Sequence, residues 1–423
     1  MPVVRPALVL LLAALLAGCD ILGSDSGEPE PKTITLSAET RTAVRQSNAF
    51  GVSLYARVAA DEPGNLMLSP LSASIALTML LNGSDGNTYT QIRDMLGYAP
   101  GQDLAAINAG YQSLRTQLLA ADPEVRFSLA NAVFHSERFV FKAPFLTTLE
   151  TAFDARVQGL NFADPASAGI VNQWASDNTN GRIPRVVEDE IPANTVMFLM
   201  NALYFKGDWS EPFDVAVTAP RAFRLAGGET VQVPTMTGSV PARTVRGDGY
   251  TALELPYGRR NFSMVVLMPD SLPRPGRSLA GFAAQLDAGL WTDATTRLDA
   301  NVWTSAPAGA QGEWPLTTVS LPRFSFSYQK ELSDQLQALG MVDAFGAANL
   351  SRMSDGGLSV TGVQQNTFVA VNEEGTEAAA VTNVTIGVSS LPGFSADRPF
   401  VFAIRERTTN TLVFIGQVAN PAL

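Results

Sequence analysis

Near its C-terminal end the chain contains a run, residues 376 to 388, in which two kinds of side chain alternate strictly. Because successive side chains of a strand point to opposite faces, this pattern is typical of a strand able to bury one face. No charge or proline interrupts the small or apolar face. That face is made of Thr376, Ala378, Ala380, Thr382, Val384, Ile386 and Val388. The other, more polar face is made of Glu377, Ala379, Val381, Asn383, Thr385, Gly387 and Ser389.

The residues that flank the run indicate that this strand lies within a loop. Gly375 precedes it as a residue able to act as a hinge, and Leu391-Pro392-Gly393 follows as a turn or loop signal. Glu377 and the three alanines after it favour helix, which leaves the first half ambiguous. An ordinary edge strand is the other interpretation of the run.

The composition excludes several classes of partner. The chain has 423 residues, of which 46% are hydrophobic, and a net charge of −11. Phosphate and sulfate groups are bound by clustered Lys and Arg, and the sequence has no dense basic run. We therefore expect neither a nucleic acid nor a heparin-like polysaccharide as partner.

The single cysteine and single histidine exclude much site chemistry. With only Cys19 and His135, the chain can form neither an internal disulfide nor a Cys/His zinc site. A Ser–His–Asp triad would have to use His135, which lies in an apolar, strand-like run, and no G-x-S-x-G motif accompanies it. Dinucleotide and P-loop fingerprints are also absent. We expect no metal, no cofactor and no enzymatic activity.

The N-terminus has the pattern of an export signal. Arg5 precedes an apolar run from Ala7 to Ala17, which is too short to span a bilayer, since that needs about 20 residues. The run ends in Leu16-Ala17-Gly18-Cys19, which resembles the lipobox of bacterial lipoproteins. The resemblance implies removal of residues 1–18 and lipidation of Cys19. An ordinary secretory signal cut nearby is the alternative.

The resemblance to a lipoprotein also predicts where the protein is found. We expect it to be exported and lipid-anchored to a bacterial membrane or cell surface, on the periplasmic or extracellular face. Residues 19–37 are acidic and rich in Pro, Gly and Ser, which predicts a disordered tether.

Residues 38–423 show no further linker or repeat and predict a single α+β domain. Helical spacing of apolar residues occurs at Phe50, Leu54 and Val58, and again from Leu104 to Leu118. Further helices are predicted over Ser72–Leu81 and Leu332–Leu339. Strands are predicted over Val196–Phe205, Phe262–Met268, Phe400–Ile404 and Thr411–Val418.

Several dispersed segments of this domain resemble those of the serpin family. In order along the chain these are Asn65–Ser72, Asn201–Trp209, Glu254–Tyr257, Leu321–Phe324, Leu339–Phe345, Asn372–Ala380, Arg398–Phe400 and Asn420–Pro421. The match runs from about residue 40 to the C-terminus with consistent spacing. Residues 305–312 are extra relative to the family.

The resemblance implies a serpin fold and suicide inhibition of a serine protease. The fold would have one large, mostly antiparallel sheet, two smaller sheets, about nine helices and an exposed reactive-centre loop at residues 376–396. The protease would form an acyl-enzyme with this loop, which would then insert into the large sheet and trap the enzyme. The hinge of the loop would be Glu374, Gly375, Thr376, Glu377, Ala378, Ala379 and Ala380.

The bond that the protease would cut is fixed within one or two residues. Counting from Gly375, as in inhibitory members, gives Ser389–Ser390, whereas counting back from Pro399 gives Val388–Ser389. Neither position offers the cation that a trypsin-like pocket requires. We expect elastase-like or subtilisin-like targets rather than trypsin-like ones.

Other residues match the family's shutter, where the strands must part, and its breach, where the loop enters. The shutter matches are Ser69, Pro70, Ser72, Asn201 and Gln365, and the breach match is Trp209. Gln365 stands where the family often has His, and its amide cannot become charged near pH 6. Taken alone, these residues would pass as ordinary core. The main alternative function is a serpin-fold binding module without inhibition; in either case we expect a monomer.

Overall fold

The computed structural model describes residues 32–270, 279–302, 314–376 and 393–423, all within one compact unit, Pro31–Leu423. The described helices are α1 (Ala38–Asp61), α2 (Pro70–Gly83), α3 (Gly86–Met95), α4 (Leu104–Leu119), α5 (Ala143–Phe153), α6 (Ala166–Asn178), α7 (Leu279–Ala283), α8 (Ala288–Ala300) and α9 (Ser333–Ala338). The described strands are β1 (Leu66–Leu68), β2 (Val125–Ser136), β3 (Ala155–Leu160), β4 (Met197–Asp208), β5 (Ala219–Arg224), β6 (Thr230–Pro241), β7 (Arg243–Arg246), β8 (Tyr250–Tyr257), β9 (Phe262–Pro269), β10 (Leu316–Pro322), β11 (Phe324–Glu331), β12 (Gln364–Val371), β13 (Gly375–Thr376), β14 (Gly393–Ser395), β15 (Phe400–Glu406) and β16 (Thr411–Val418). This is the predicted α+β class.

The strands form three sheets. Sheet I has the order β11-β12-β13-β4-β2-β3 and is antiparallel except for the β2–β3 pair. Sheet II has the order β1-β16-β15-β9-β8-β7, and sheet III has the order β14-β10-β6-β5. Sheets I and II each have six described strands, but the longest strands of sheet II are shorter, so the predicted arrangement of one large sheet and two smaller ones is confirmed.

The core lies between sheets I and II and around α2. Phe324 of sheet I packs against Phe402 of sheet II with ring centroids 5.3 Å apart. Strands β8, β9, β15 and β16 are buried almost throughout, which explains why they read as continuous apolar runs rather than alternating ones. On the other face of sheet I, α6 packs its Trp174 edge-on against Phe134 of β2.

Local sequence signals account for the helices near the site. Ser69 caps α2 by accepting a hydrogen bond from the Ser72 amide, and Pro70 occupies the first helical turn. Nearly every side chain of α2 is buried, as expected for a helix that is apolar all round. The predicted helix over Ser72–Leu81 is confirmed within this longer one, and the predicted strands are confirmed to within a few residues at their ends.

Residues 32–37 do not fit the predicted tether. The main chain of Lys32 is hydrogen-bonded to the side chain of Asn261, Ile34 is 8% exposed, and Ser37 caps α1. These residues belong to the packed unit, since the apolar Ile34 and Leu36 interrupt the polar composition on which the prediction relied. Cys19, residues 1–31 and the extra loop at 305–312 lie outside the described residues.

Across the described ranges, no helix combines the length and apolar character needed to cross a membrane.

Candidate functional site

Sheet I is split between β12 and β4. Each strand pairs antiparallel with the two-residue β13, so β12 and β4 run parallel to each other. Thr376 pairs with Val371 of β12 and with Gly207 of β4. Beyond Thr376, the described parts of β12 and β4 have no strand between them. We call this gap the seam.

Gly375 is positioned where no other residue fits. Its φ is +151°, and a Cβ placed on it would lie 2.1 Å from the Gly207 carbonyl oxygen. The turn before it is closed by Asn372, whose Oδ1 accepts hydrogen bonds from the amides of Glu374 and Gly375 at 3.0 and 3.2 Å. The turn therefore directs the chain back into the seam at Thr376.

Substitution of Gly375 by Ala should exclude the hinge from the seam. The added methyl group meets the backbone of β4, which cannot move aside as a flexible side chain could, and the φ is unfavourable for L-residues. We expect a loss of about 3 kcal/mol or more in the free energy of unfolding, measured by chemical denaturation. Gly169→Ala is the control, because that residue lies within α6, where the helical backbone accommodates Ala, and open space surrounds it. Equal effects of the two substitutions would contradict the steric argument.

Thr376, at the end of the seam where β13 lies, is held by the aromatic residues Tyr257 and Trp209. It is 3% exposed, and its Oγ1 lies 2.7 Å from the hydroxyl oxygen of Tyr257. Burial raises the pKa of the Tyr257 hydroxyl well above its ordinary value, which keeps it neutral as a hydrogen-bonding group. Trp209 stacks on Tyr257 with centroids 4.5 Å apart and an interplanar angle of 10°. The indole Nε1 of Trp209 donates to the Asn372 carbonyl at 3.0 Å. The predicted breach residue therefore contacts the hinge turn directly.

A buried carboxylate anchors the turn from the other side. The side chain of Glu373 is 3% exposed, and its Oε1 accepts from Arg323 Nε at 2.7 Å and from the Thr218 hydroxyl at 2.5 Å. The Glu373 carbonyl also accepts from the Phe213 amide at 2.8 Å. The start of the loop is thus fixed to Arg323 between β10 and β11, to Phe213 after β4 and to Thr218 before β5.

The predicted shutter residues surround the middle of the seam. The side-chain amide of Gln365 forms two hydrogen bonds with the main chain of Ser69, accepting from its N–H and donating to its carbonyl, each at 2.9 Å. The Ser69 hydroxyl donates to the Val413 carbonyl at 2.9 Å. Pro70 packs closely against Gly51 of α1. Gln365 thus links β12 to the start of α2 as a neutral bridge.

Asn201, on the opposite side of the seam, belongs to a different polar cluster. Its Nδ2 donates to Asn131 Oδ1 at 2.7 Å, and Asn131 in turn donates to the Phe153 carbonyl. The Oδ1 of Asn201 is buried and has no hydrogen-bond partner among the described residues. Such an acceptor is costly to bury, and in native proteins it calls for an explanation.

A cavity of about 540 Å³ extends along the seam. Asn201 and Ser72 line it together with Gln365, from β4, α2 and β12 respectively. The opposite wall is formed by α6 and the connection that follows it, residues 179–196, where Asn172 Oδ1 accepts hydrogen bonds from the amides of Val186 and Val187. The structure therefore brings the shutter residues together around an elongated space, although Gln365 and Asn201 bond to separate partners.

The remaining predicted site residues lie outside the described part of the chain. These are Cys19, the hinge residues Glu377, Ala378, Ala379 and Ala380, and the candidate bonds at Val388, Ser389 and Ser390. Sequence reasoning assigned no role to Tyr257, Glu373, Arg323 or Asn131. Asn131 could have been noticed, since a polar residue in an apolar strand normally has a buried partner.

Comparison with known proteins agrees with this geometry. The family model described as "Serpin (serine protease inhibitor)" matches residues 45–421. The leukocyte elastase inhibitor of Sus scrofa is 31% identical over 88% of this chain and 97% of its own length, and serpin B9 of Homo sapiens is 33% identical over 89% and 98%. An uncharacterised serpin-like protein of Methanosarcina mazei is 28% identical over 98% and 97%.

Solved structures show the same fold. The native state of tengpin, a thermophilic serpin, superimposes with a TM-score of 0.78 at 26% identity, covering 92% of this chain and 96% of that structure. Its latent state gives a TM-score of 0.74 at 25% identity, with coverages of 92% and 99%. With the matched family model spanning nearly the whole folded unit, the chain belongs to the serpin family.

Proposed function

We propose that this protein is a suicide inhibitor of serine proteases outside the cytoplasm. The observation that carries the proposal is the pairing of Gly375 and Thr376 between β12 and β4, at one end of a seam in which the described residues place no further strand. A loop that begins inside the sheet it must enter can continue along the same path.

The register of β13 supports this insertion. Continued past Thr376, the small or apolar face of the run would lie opposite the inward residues of both neighbours: Phe205, Leu203, Asn201, Leu199 and Met197 on β4, and Val369, Thr367 and Gln365 on β12. Thr382 would then reach the level of Asn201 and Gln365, where the buried Asn201 Oδ1 needs a donor. The polar residues of the run would face outward.

The free energy for trapping would come from closing the seam. An inserted strand would pair with β12 and β4 together, and each net hydrogen bond contributes about 1 kcal/mol. It would also fill the cavity of about 540 Å³ with apolar side chains.

The chemistry precedes this rearrangement. The protease serine attacks a loop carbonyl, the peptide bond breaks, and the C-terminal side leaves with a free amine while the N-terminal side stays on the serine as an ester. We propose Ser389–Ser390 as the bond, with Val388–Ser389 second. Insertion of residues after Thr376 must outpace hydrolysis of this ester.

The test is incubation with an elastase-like, a subtilisin-like and a trypsin-like protease. We expect an SDS-stable complex with the first or second and little with the third, because small or apolar residues flank both candidate bonds. Mass spectrometry of the released C-terminal fragment identifies the bond. Recovery of only cleaved inhibitor, with protease activity undiminished, would overturn the proposal.

The alternative is a serpin-fold binding module that does not inhibit. Measuring the melting temperature before and after loop cleavage separates loop insertion from protease trapping, since a rise shows that insertion takes place even where no protease is trapped.

We further propose that the protein acts as a monomer, exported and lipid-anchored through Cys19 to a bacterial membrane. Labelling with a fatty-acid analogue, lost in Cys19→Ala, tests the anchor.

A further inference from the structure

The segment that precedes α1, residues 32–36, packs against the tip of the β8–β9 hairpin. We call it the N-terminal strap. The Lys32 amide donates to Asn261 Oδ1 at 2.7 Å, and Asn261 Nδ2 donates to the Lys32 carbonyl at 2.8 Å. Asn261 is fully buried, so these bonds occupy both ends of a side-chain amide that has no access to water. The strap is thus a specific partner of the hairpin tip.

The same tip, residues 258–261, is held from two other directions. Asp122, in the turn between α4 and β2, accepts from the Arg259 amide at 2.8 Å. Burial raises the pKa of this carboxyl, although hydrogen bonds from backbone amides oppose the shift. The Gly258 amide donates to the Asp208 carbonyl at the end of β4, at 2.9 Å. Positive φ angles at Gly258 and Arg260 show that the tip is a tight turn that external contacts must hold.

The strand pair that adjoins this tip, Tyr257 and Phe262, is the part of the hairpin that holds the hinge. Tyr257 pairs with Phe262, directly beside Asn261, and the Arg260 amide donates to the Tyr257 carbonyl at 2.7 Å. The hydroxyl of Tyr257 bonds Thr376, and its ring supports Trp209. A short path therefore leads from the Lys32 main chain to Asn261, through the adjacent Phe262 to its strand partner Tyr257, and from the Tyr257 hydroxyl to Thr376.

We propose that the N-terminal strap is a positioning element for the reactive loop, which holds the hairpin tip so that Tyr257 keeps Thr376 paired in the seam. This inference rests on the proposed function, in which Thr376 begins insertion. Loss of the strap contact would free the hinge, slow insertion relative to ester hydrolysis, and divert more of the protein to cleaved substrate.

The test uses two substitutions at Lys32 in the full-length chain. Lys32→Pro removes the amide donor to Asn261, whereas Lys32→Ala loses the same side chain but keeps both main-chain bonds. Amide exchange in a peptide covering 372–376 should quicken about tenfold in the proline variant, the factor expected when one buried hydrogen bond is lost, and stay unchanged in the alanine variant. The moles of inhibitor consumed per protease inactivated should rise in the proline variant alone. Asn261→Ala provides the same test from the other partner.

Each outcome separates a positioning role from a structural one. A lower melting temperature with unchanged exchange at 372–376 and an unchanged inhibitor-to-protease ratio would reduce the strap to a stabilising contact and overturn the inference. If the wild-type chain traps no protease, the proposed function fails, yet the exchange measurement still decides whether the strap holds the hinge.

Discussion

Thr376→Arg should convert the protein from an inhibitor into a substrate. Thr376 is 3% exposed, lies between Val371 and Gly207, and bonds the neutral hydroxyl of Tyr257. A guanidinium at this place would have no described carboxylate among these partners. Burying an unpaired charge costs several kcal/mol, so the hinge would leave the seam and insertion would start late. Attack by the protease would still occur, because the loop bond itself is unchanged.

The measurement is the number of inhibitor molecules consumed per protease inactivated, which should rise by about tenfold or more. The matched control is Glu377→Arg, which adds the same side chain one position along, on the more polar face of the run. That variant should titrate protease nearly as the wild type does. An unchanged titration for Thr376→Arg would favour the non-inhibitory binding module instead.

Glu373→Lys should destabilise the end of sheet I at which β13 lies between β12 and β4. The wild-type carboxylate is 3% exposed and joins Arg323 and Thr218, whereas a lysine would face Arg323 with the same charge. Breaking a buried pair costs about 3 kcal/mol, discounted here because Arg323 is 41% exposed and can turn toward water. We expect the melting temperature to fall by roughly 2–3 °C.

Two further variants give this prediction its specificity. The charge reversal Glu373→Lys with Arg323→Glu should recover part of the lost stability, since an opposite pair is restored. Glu188→Lys is the exposed control: Glu188 pairs with Arg185 but is 86% exposed, so its loss should matter little. A similar fall in both single variants would show that net charge, and not the anchor, sets the stability.

The sequence predicts the elements of this site better than it predicts their contacts. The alternation from Thr376 onward and the glycine before it are local patterns, and the structure places both Gly375 and Thr376 in a strand within the seam. Ser69 and Pro70 are likewise local signals for the start of α2. Such features depend only on residues close to them in the sequence, so they can be recognised before the fold is known.

The partners of these residues could not be predicted in the same way. Tyr257 and Thr376 are 119 positions apart, and Lys32 and Asn261 are 229 apart. Nothing in either local sequence specifies the other, because the contact exists only after three sheets have assembled. The replacement of the family's His by Gln365 was visible, but its pairing with the Ser69 main chain rather than with Asn201 depends on side-chain geometry.

The wall formed by α6 and residues 179–196 has a consequence for timing. For a strand to fill the seam, that wall has to shift, because it lies over the cavity that the strand would occupy. The hydrogen bonds from the Val186 and Val187 amides to Asn172 then contribute to the activation barrier for insertion rather than to the free energy of the inserted state. The contacts of α6, on the far side of the cavity from α2, would then set the rate of insertion, which has to exceed the rate at which the ester is hydrolysed.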